Sequence, residues 1–196
     1  MNTYRKELWA IGGGTIQPIA NHLVLSAPAY GSTARNFVEI YKSLSDKLDA
    51  HYIPTRMAGG KKMYNTVEDM GKLADQILSL NDIKIVFWNC AIVDYEPTYM
   101  SCQNDTPKVS RQEHVFPLDR RLSTKNDSYL WLNLTPSEKI IQRIRKTRKD
   151  IFLIGTKATY GLTEQEQYLE ALNMLKSASC NLVFSNDTKE KRYMVV

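Results

Sequence analysis

The stretch WAIGGGT, Trp9–Thr15, joins an apolar, strand-like run to three glycines and a threonine. Glycine has no Cβ, so Gly12, Gly13 and Gly14 allow a sharp turn that brings backbone N–H groups up to a ligand. Glycines between a strand and a helix are typical of phosphate-binding loops in α/β folds. The run is neither GxGxxG nor a Walker A loop. Two interpretations therefore stay open, a phosphate-binding loop and a tight turn without a ligand.

Length and composition predict a single domain over residues 1–196. The chain is 43% hydrophobic and 24% charged, as in ordinary globular proteins. No apolar run approaches the ~20 residues that span a bilayer, and the N-terminus lacks the apolar region of a secretory signal. Three cysteines without CxxC spacing argue against a disulfide framework or a zinc site. We therefore expect a cytoplasmic protein with no membrane contact and no metal site of its own.

A net charge of +5 and a sequence pI of about 9.0 fit either nucleic acid or a small anionic ligand as partner. The densest basic cluster, in residues 143–149, lies at the C-terminal end of a predicted helix, where cations complement the helix dipole. No aromatic-studded basic motif accompanies it. We therefore expect a small phosphorylated ligand rather than nucleic acid.

Strand and helix patterns alternate along the chain, which predicts an α/β, doubly wound, mostly parallel, Rossmann-like sheet with helices on both faces. The predicted strands are Leu8–Ile11, Ala50–Pro54, Ile83–Asn89, Asp150–Ile154 and Asn181–Ser185. The predicted helices are Ser32–Leu48, Asn65–Leu80, Pro136–Lys146 and Thr163–Ser177. Thr66 and Asp69 have capping-box spacing at the start of the second helix.

Two segments break this alternation. Val93–Glu113 is polar and aperiodic, which predicts a loop. Val115–Leu134 contains two extended pieces around a turn, and the second piece, YLWLNL, alternates as a strand does. We expect a β-hairpin arm at about residues 113–134 that serves as a lid or as the contact of a homodimer.

The predicted strands end in polar or glycine-rich segments. These are Gly12–Thr15, Asn89–Tyr95, Gly155–Lys157 and Ser185–Asp187. Ligands of open α/β sheets bind beyond the carboxyl ends of the strands. Together the four ends would supply backbone donors, a carboxamide, two carboxylates and a lysine. That set suits a phosphorylated ligand with Mg²⁺ held through phosphate and carboxylate oxygens.

In order and spacing, these segments resemble the phosphopantothenate–cysteine ligase family, the domain often fused to a flavin-dependent decarboxylase in bacterial coenzyme A synthesis. Gly13–Thr15 with Pro18–Ile19 resembles GGT-x-x-x-I-D, Ala91–Tyr95 resembles A-V-x-D-Y, and Glu96–Met100 continues as in stand-alone bacterial members. Arg121–Ser123 followed by LWLNL resembles the K-I-S strand and its hairpin partner, Leu153–Lys157 resembles L-x-G-F-K, and Leu182–Asp187 resembles L-I-x-A-N-D. The resemblance covers nearly the whole chain.

The resemblance implies a ligase that activates 4′-phosphopantothenate with CTP or ATP and Mg²⁺, after which the amine of cysteine attacks the acyl-nucleotide. It implies a dimer and no flavin. Arg121 and Asp94 would be its catalytic residues. The implied nucleotide-binding residues are Gly12, Gly13, Gly14, Thr15, Ala91, Asp94, Lys157, Asn186 and Asp187.

Several positions depart from the family pattern. Ala27 stands where the family has the asparagine that serves the acyl intermediate, and Arg121 replaces the flap lysine, which changes the shape of the charge. Asn21 or Asn36 could supply the lost carboxamide. Further departures are Ala20, Ala34 and Thr156. Two functions therefore stay open, a ligase with weakened catalysis and a non-catalytic protein that binds a nucleotide or phosphopantetheine. A flavoprotein is a weaker third, since no decarboxylase half is present.

Overall fold

The computed structural model describes residues 6–61, 64–102 and 130–196. Its strands are β1 (Glu7–Ala20), β2 (Leu23–Ala27), β3 (Asp49–Pro54), β4 (Ile83–Ala91), β5 (Tyr95–Cys102), β6 (Leu130–Pro136), β7 (Phe152–Thr159), β8 (Leu182–Asp187) and β9 (Arg192–Val195). Its helices are α1 (Ser32–Leu44), α2 (Val67–Ser79), α3 (Ile141–Thr147) and α4 (Glu164–Ser177), with a 3₁₀ turn at Arg56–Ala58.

The main sheet has the order β3-β1-β4-β7-β8-β9, and its strands are parallel except for the last. β2 pairs antiparallel with the second half of β1. The continuous apolar run of β4 lies between β1 and β7, as expected of a strand buried on both faces. The predicted α/β, doubly wound class is confirmed.

Helices cover both faces of the sheet and bury two apolar clusters. α2, α3 and α4 pack on one face around side chains such as Leu73, Ile144 and Leu153. α1 packs on the other face, over Leu8, Ala10 and Phe87. The predicted capping box of α2 is confirmed, because Thr66 Oγ1 accepts a hydrogen bond from the Asp69 N–H while the Asp69 carboxylate accepts one from the Thr66 N–H.

The glycine run departs from the sequence prediction, since Gly12, Gly13 and Gly14 lie inside β1, which continues to Ala20. A Cβ on Gly14 would lie 2.1 Å from the carbonyl oxygen of Ala27. Gly13 has φ +119° and its Cβ would lie 2.1 Å from Thr55 Oγ1. The prediction of a sharp turn at these glycines is therefore wrong. The glycines allow neighbouring segments to approach β1 closely.

Most of the predicted arm, with its first extended piece, its turn and Arg121, falls in residues 103–129, which lie outside the described residues. The second piece forms β6, whose partner is β5, a strand within the segment that was predicted to be a loop. β2 and β9 were also missed. No helix in the described parts of the chain has the length and apolar character that crossing a membrane requires.

Candidate functional site

A cavity of about 740 Å³ opens at the carboxyl ends of β4, β7 and β8. Four of the sequence-predicted residues line it, namely Ala91, Asp94, Lys157 and Asn186. The start of α1, the segment from Ser137 into α3, and residues of α4 such as Glu170 and Met174 complete its walls. Three of the four strand ends that were predicted to meet therefore contribute residues to one crevice.

The glycine run and Thr15 do not line this cavity; they are buried behind its wall. Thr15 Oγ1 donates to the carbonyl oxygen of Ala91 at 3.2 Å and accepts from the Val93 N–H at 3.0 Å. The Gly14 N–H donates to the carbonyl oxygen of Ala29 at 2.8 Å. These groups hold the two walls of the cavity in place, and their predicted contact with phosphate stays a prediction.

Asp187 is also a structural residue in this geometry. Its carboxylate is buried and accepts hydrogen bonds from Thr159 Oγ1 and from four backbone N–H groups, those of Gly161, Leu162, Lys189 and Glu190. Burial by itself would raise the pKa of Asp187, but these hydrogen bonds outweigh burial and hold the pKa well below its usual range. The charged carboxylate thereby joins the turn after β7 to the turn after β8.

The cations of the cavity are paired with carboxylates. Lys157 Nζ lies 2.9 Å from Glu170 Oε2 on α4, and Lys139 Nζ is hydrogen-bonded to Asp94 Oδ1. Glu138, a third carboxylate of the wall, pairs with Arg143. A bound anion would therefore compete with Asp94 and Glu170 for these two lysines.

The first turn of α1 faces the cavity through Ser32 and Thr33. Its N-cap, Gly31, has φ 73° and offers no side-chain cap, and the first turn carries no acidic residue. The leading N–H groups of a helix need partners from outside the helix. Together with the helix dipole they favour an anionic group at this point of the wall.

Asn89 adds a carboxamide to the same wall at the end of β4. It is in register with Gly12. A Cβ on Gly12 would touch Ala34 and Gly31 of the α1 segment, so the Asn89 side chain lies on the α1 face of the sheet. No hydrogen bond of this side chain occurs within the described residues. Asn21 and Asn36 do not line the cavity. The sequence showed that β4 ends in a polar residue, but it did not show to which face of the sheet the Asn89 side chain points.

Metal binding has little support from these side chains. Within the described ranges, no three histidine, cysteine, aspartate or glutamate side chains are placed to hold a metal ion. The three carboxylates of the wall are each bound to a cation. The donor set therefore does not fit a Mg²⁺ ion held by the protein alone.

Cys90, which lines the cavity, and Cys180 do not have the character of nucleophiles, and part of the basic cluster serves the fold. Burial raises the pKa of the Cys90 thiol to about 12 and that of Cys180 to about 11, which disfavours a thiolate nucleophile. Arg148 donates to the carbonyl oxygen of Leu80 and to both carboxylate oxygens of Asp150. Part of the basic cluster is thus occupied by contacts within the chain.

Comparisons with known proteins bear on the fold of the chain. No family model matches the chain. A segment of 65 residues, 33% of this chain, is 37% identical to the coenzyme A biosynthesis bifunctional protein CoaBC of Thermococcus kodakarensis, and it spans only 16% of that protein.

Solved structures match along almost the full chain. The DNA/pantothenate metabolism flavoprotein of Streptococcus pneumoniae has a TM-score of 0.77 at 19% identity, over 98% of this chain and 92% of that one. The C-terminal domain of CoaBC has a TM-score of 0.59 at 16% identity, over 97% and 85%. A Cab2 mutant in complex with phosphopantothenate-cysteine has a TM-score of 0.61 at 13% identity, over 98% and 77%. The resemblance to the phosphopantothenate–cysteine ligase family that the motifs predict is thereby confirmed at the level of the fold.

Proposed function

We propose that this protein is a phosphopantothenate–cysteine ligase-like enzyme that binds a nucleoside triphosphate and 4′-phosphopantothenate in the cavity at the carboxyl ends of β4, β7 and β8. The observation that carries the proposal is the placement of Asp94, Lys157 and Asn186 around one cavity, together with the start of α1, which has no side-chain cap. A Cab2 mutant with a similar fold was solved with phosphopantothenate-cysteine, which supports the choice of acid.

The start of α1 and Asn89 are suited to phosphate or acyl-phosphate oxygens. Backbone N–H groups and a carboxamide are fixed dipoles that need little reorganisation when negative charge develops on a ligand. Lys157 and Lys139 can add charge once phosphate oxygens displace Glu170 and Asp94 from their ammonium groups. By resemblance, Asp94 and Arg121 remain the proposed catalytic residues, with Arg121 outside the described residues.

The proposed reaction has two steps. An oxygen of the 4′-phosphopantothenate carboxylate attacks the α-phosphorus of CTP or ATP, and pyrophosphate leaves. The amine of cysteine then attacks the acyl carbon, loses a proton as the C–N bond forms, and expels the nucleoside monophosphate. Asn89 and the N–H groups at the start of α1 would stabilise the negative charge that develops on the acyl oxygen in the second step.

One observation favours the second candidate function, a protein that binds a nucleotide or a phosphopantetheine-like ligand without ligation. Ala27 lines the cavity but offers no side-chain donor there. Losing one such donor typically slows acyl transfer by a factor of ~10²–10³. We therefore propose that nucleotide binding is retained and that ligation is weak.

We further propose a cytoplasmic homodimer that forms through the arm. Trp131 on β6 is 70% exposed in the single chain. Aromatic side chains are enriched in protein–protein interfaces, so a second copy of the chain is a suitable cover for this one. Light scattering at micromolar concentration should give twice the mass of one chain, and Trp131→Ala should shift the mass toward the monomer. A monomeric wild type would reject the dimer without affecting the proposed chemistry.

The function is tested in two stages. Thermal shift measurements with CTP, ATP, 4′-phosphopantothenate and a flavin should show stabilisation by a nucleotide and none by the flavin, because a ligand that binds only the native state raises the Tm. Release of pyrophosphate and nucleoside monophosphate in the presence of 4′-phosphopantothenate and cysteine then measures ligation. Nucleotide binding without product supports the binding-protein alternative, and no stabilisation by any of these ligands rejects both functions.

A further inference from the structure

The face of the main sheet that α1 covers is open over β7, β8 and β9. Phe184 points to this face, since its ring lies 5.7 Å from that of Phe87 in the cluster beneath α1. Val195 pairs with Phe184, and Phe152 lies two residues before Ile154 of the same cluster, so both point the same way. The exposed fractions are 37% for Phe184, 40% for Phe152 and 56% for Val195. Within the described residues, α1 is the only α-helix on this face, and it leaves these three side chains uncovered.

α1 forms a wall beside this open part of the sheet. Its Phe37 ring lies 4.6 Å from the Phe87 ring, so the Phe37 side of the helix is turned towards β4. Ile40 and Leu44 follow at i+3 and i+7 on the same side, and they are 59% and 80% exposed. The other side of α1 shares a groove with β3. The result is a surface that we call the apolar trough, with a floor of Phe152, Phe184 and Val195 and a wall of Ile40 and Leu44.

The width of the apolar trough suits one further helix. Parallel strands such as β7 and β8 are normally covered on both faces. Neighbouring strands lie about 4.8 Å apart, so the three adjacent strands from β7 to β9 present a floor of roughly 10 Å, the diameter of a single α-helix. A helix lying beside α1 would touch the floor and the wall at once, and it would complete the helical layer on this face of the sheet.

A second copy of this chain is a poorer occupant of the apolar trough. The outer surface of α1 carries Asn36, Glu39 and Ser43, all of them exposed. If two copies faced each other through this surface, the α1 helix of each would be the ridge that enters the trough of the other. That arrangement would press the Glu39 charge and the Asn36 amide against an apolar floor, which costs free energy because neither gains a partner there. The occupant therefore needs an apolar stripe, which the outer surface of α1 lacks.

We propose that the apolar trough is a docking site for an amphipathic α-helix of a partner protein, with apolar residues at i, i+3, i+4 and i+7. In this mode of recognition the apolar face of a helix lies in an apolar groove, and its anchoring side chains repeat at helical spacing. The inference does not rest on the proposed function, because none of the five trough residues lines the cavity at the carboxyl ends of β4, β7 and β8. A failure of nucleotide binding would therefore leave it standing.

The test titrates a fluorescently labelled, designed peptide with the full chain and measures anisotropy. The peptide is a helix of about 14 residues with leucines at these spacings among alanine, glutamate and lysine, and it is stapled on its polar side because short helices are marginal in water. Leu44→Ser with Val195→Ser should weaken the Kd by about tenfold or more, since two apolar contacts are lost. Ile40→Ser should act in the same direction. The matched control is Tyr168→Ser with Leu169→Ser, which removes two exposed apolar side chains of α4 and should leave the Kd unchanged.

Each outcome decides for or against the partner helix. Binding by the wild type and by the α4 variant, weakened in the trough variants, supports the inference. The inference is overturned if the wild type does not bind the peptide at millimolar concentration, if a peptide of the same composition with scattered leucines binds equally well, or if the trough pair and the α4 pair weaken binding equally. Light scattering tests the second copy as occupant. A mass that is halved by Leu44→Ser with Val195→Ser, and not by the α4 pair, would show that a second copy covers the trough and would also overturn the inference.

Discussion

The Gly14→Ala change tests whether the glycine run packs β1 against its neighbours or contacts a ligand. Gly14 does not have a left-handed backbone, so the effect of alanine is steric. The added Cβ would lie 2.1 Å from the carbonyl oxygen of Ala27 and 2.7 Å from both the Ala29 nitrogen and Met57 Sδ. The first two atoms are backbone atoms, which cannot rotate away as the end of a side chain can.

The size of the loss follows from these contacts. The Ala27 oxygen must retreat by roughly 1.3 Å to reach the 3.4 Å of ordinary contact. That movement would strain the pairing of Thr15 with Ala27 and the hydrogen bond from the Gly14 N–H to Ala29. Overpacking costs about 1–3 kcal/mol and a lost hydrogen bond about 0.5–1.5 kcal/mol, so we expect a loss of about 3 kcal/mol. For a chain of this size the Tm should fall by roughly 6–12 °C.

The assay is thermal unfolding of the ligand-free protein, followed by nucleotide titration. Gly71→Ala is the control, because a Cβ on this α2 glycine meets only the far end of the Arg143 side chain, at 2.8 Å, and no backbone atom. Alanine favours a helix over glycine by about 1 kcal/mol, so the control should keep or raise the Tm. A Gly14→Ala protein with the Tm of the wild type but no response to nucleotide would refute the packing argument and support a direct contact with phosphate.

Three further predictions concern the cavity and its supports. Glu170→Gln should tighten nucleotide binding by up to about fivefold in calorimetry, because it frees Lys157 from an ion pair that is partly exposed; an unchanged or weaker Kd contradicts this. Folding lowers the pKa of Asp187. The stability that this carboxylate adds to the folded protein is therefore fully present above its pKa in the unfolded chain, about 4, and is lost as pH falls through its pKa in the folded protein. Denaturant midpoints should therefore drop from pH 6 to pH 3, and Asp187→Asn should flatten that drop; equal slopes would show that other groups cause it. The double change Ala27→Asn with Arg121→Lys should raise product formation by ~10-fold or more in the pyrophosphate-release assay; no gain, with folding and nucleotide binding intact, would show that the alignment of this loop is wrong.

Local patterns in the sequence were sufficient for the elements that depend on local physics. The apolar run Ile83–Asn89 predicts a buried strand, and β4 occupies the centre of the sheet. The Thr66 and Asp69 pair predicts the start of α2, and the capping box is present. Since parallel strands carry their carboxyl ends to one edge, the sequence also predicted that Asp94 and Lys157 share a cavity.

Patterns along the chain could not show which glycines and polar side chains are already in contact with segments that lie far away in the sequence. The glycines of β1 are suited to a phosphate loop by composition, and only the approach of Ala27 and Ala29 makes them packing residues. Asp187 is suited to a ligand site, yet hydrogen bonds from two turns use its carboxylate. The sequence by itself therefore determined the parallel core of the sheet and the edge that carries the cavity. Tertiary structure decided which polar groups remain free to bind a ligand, because hydrogen-bond satisfaction depends on neighbours that lie far apart in the chain.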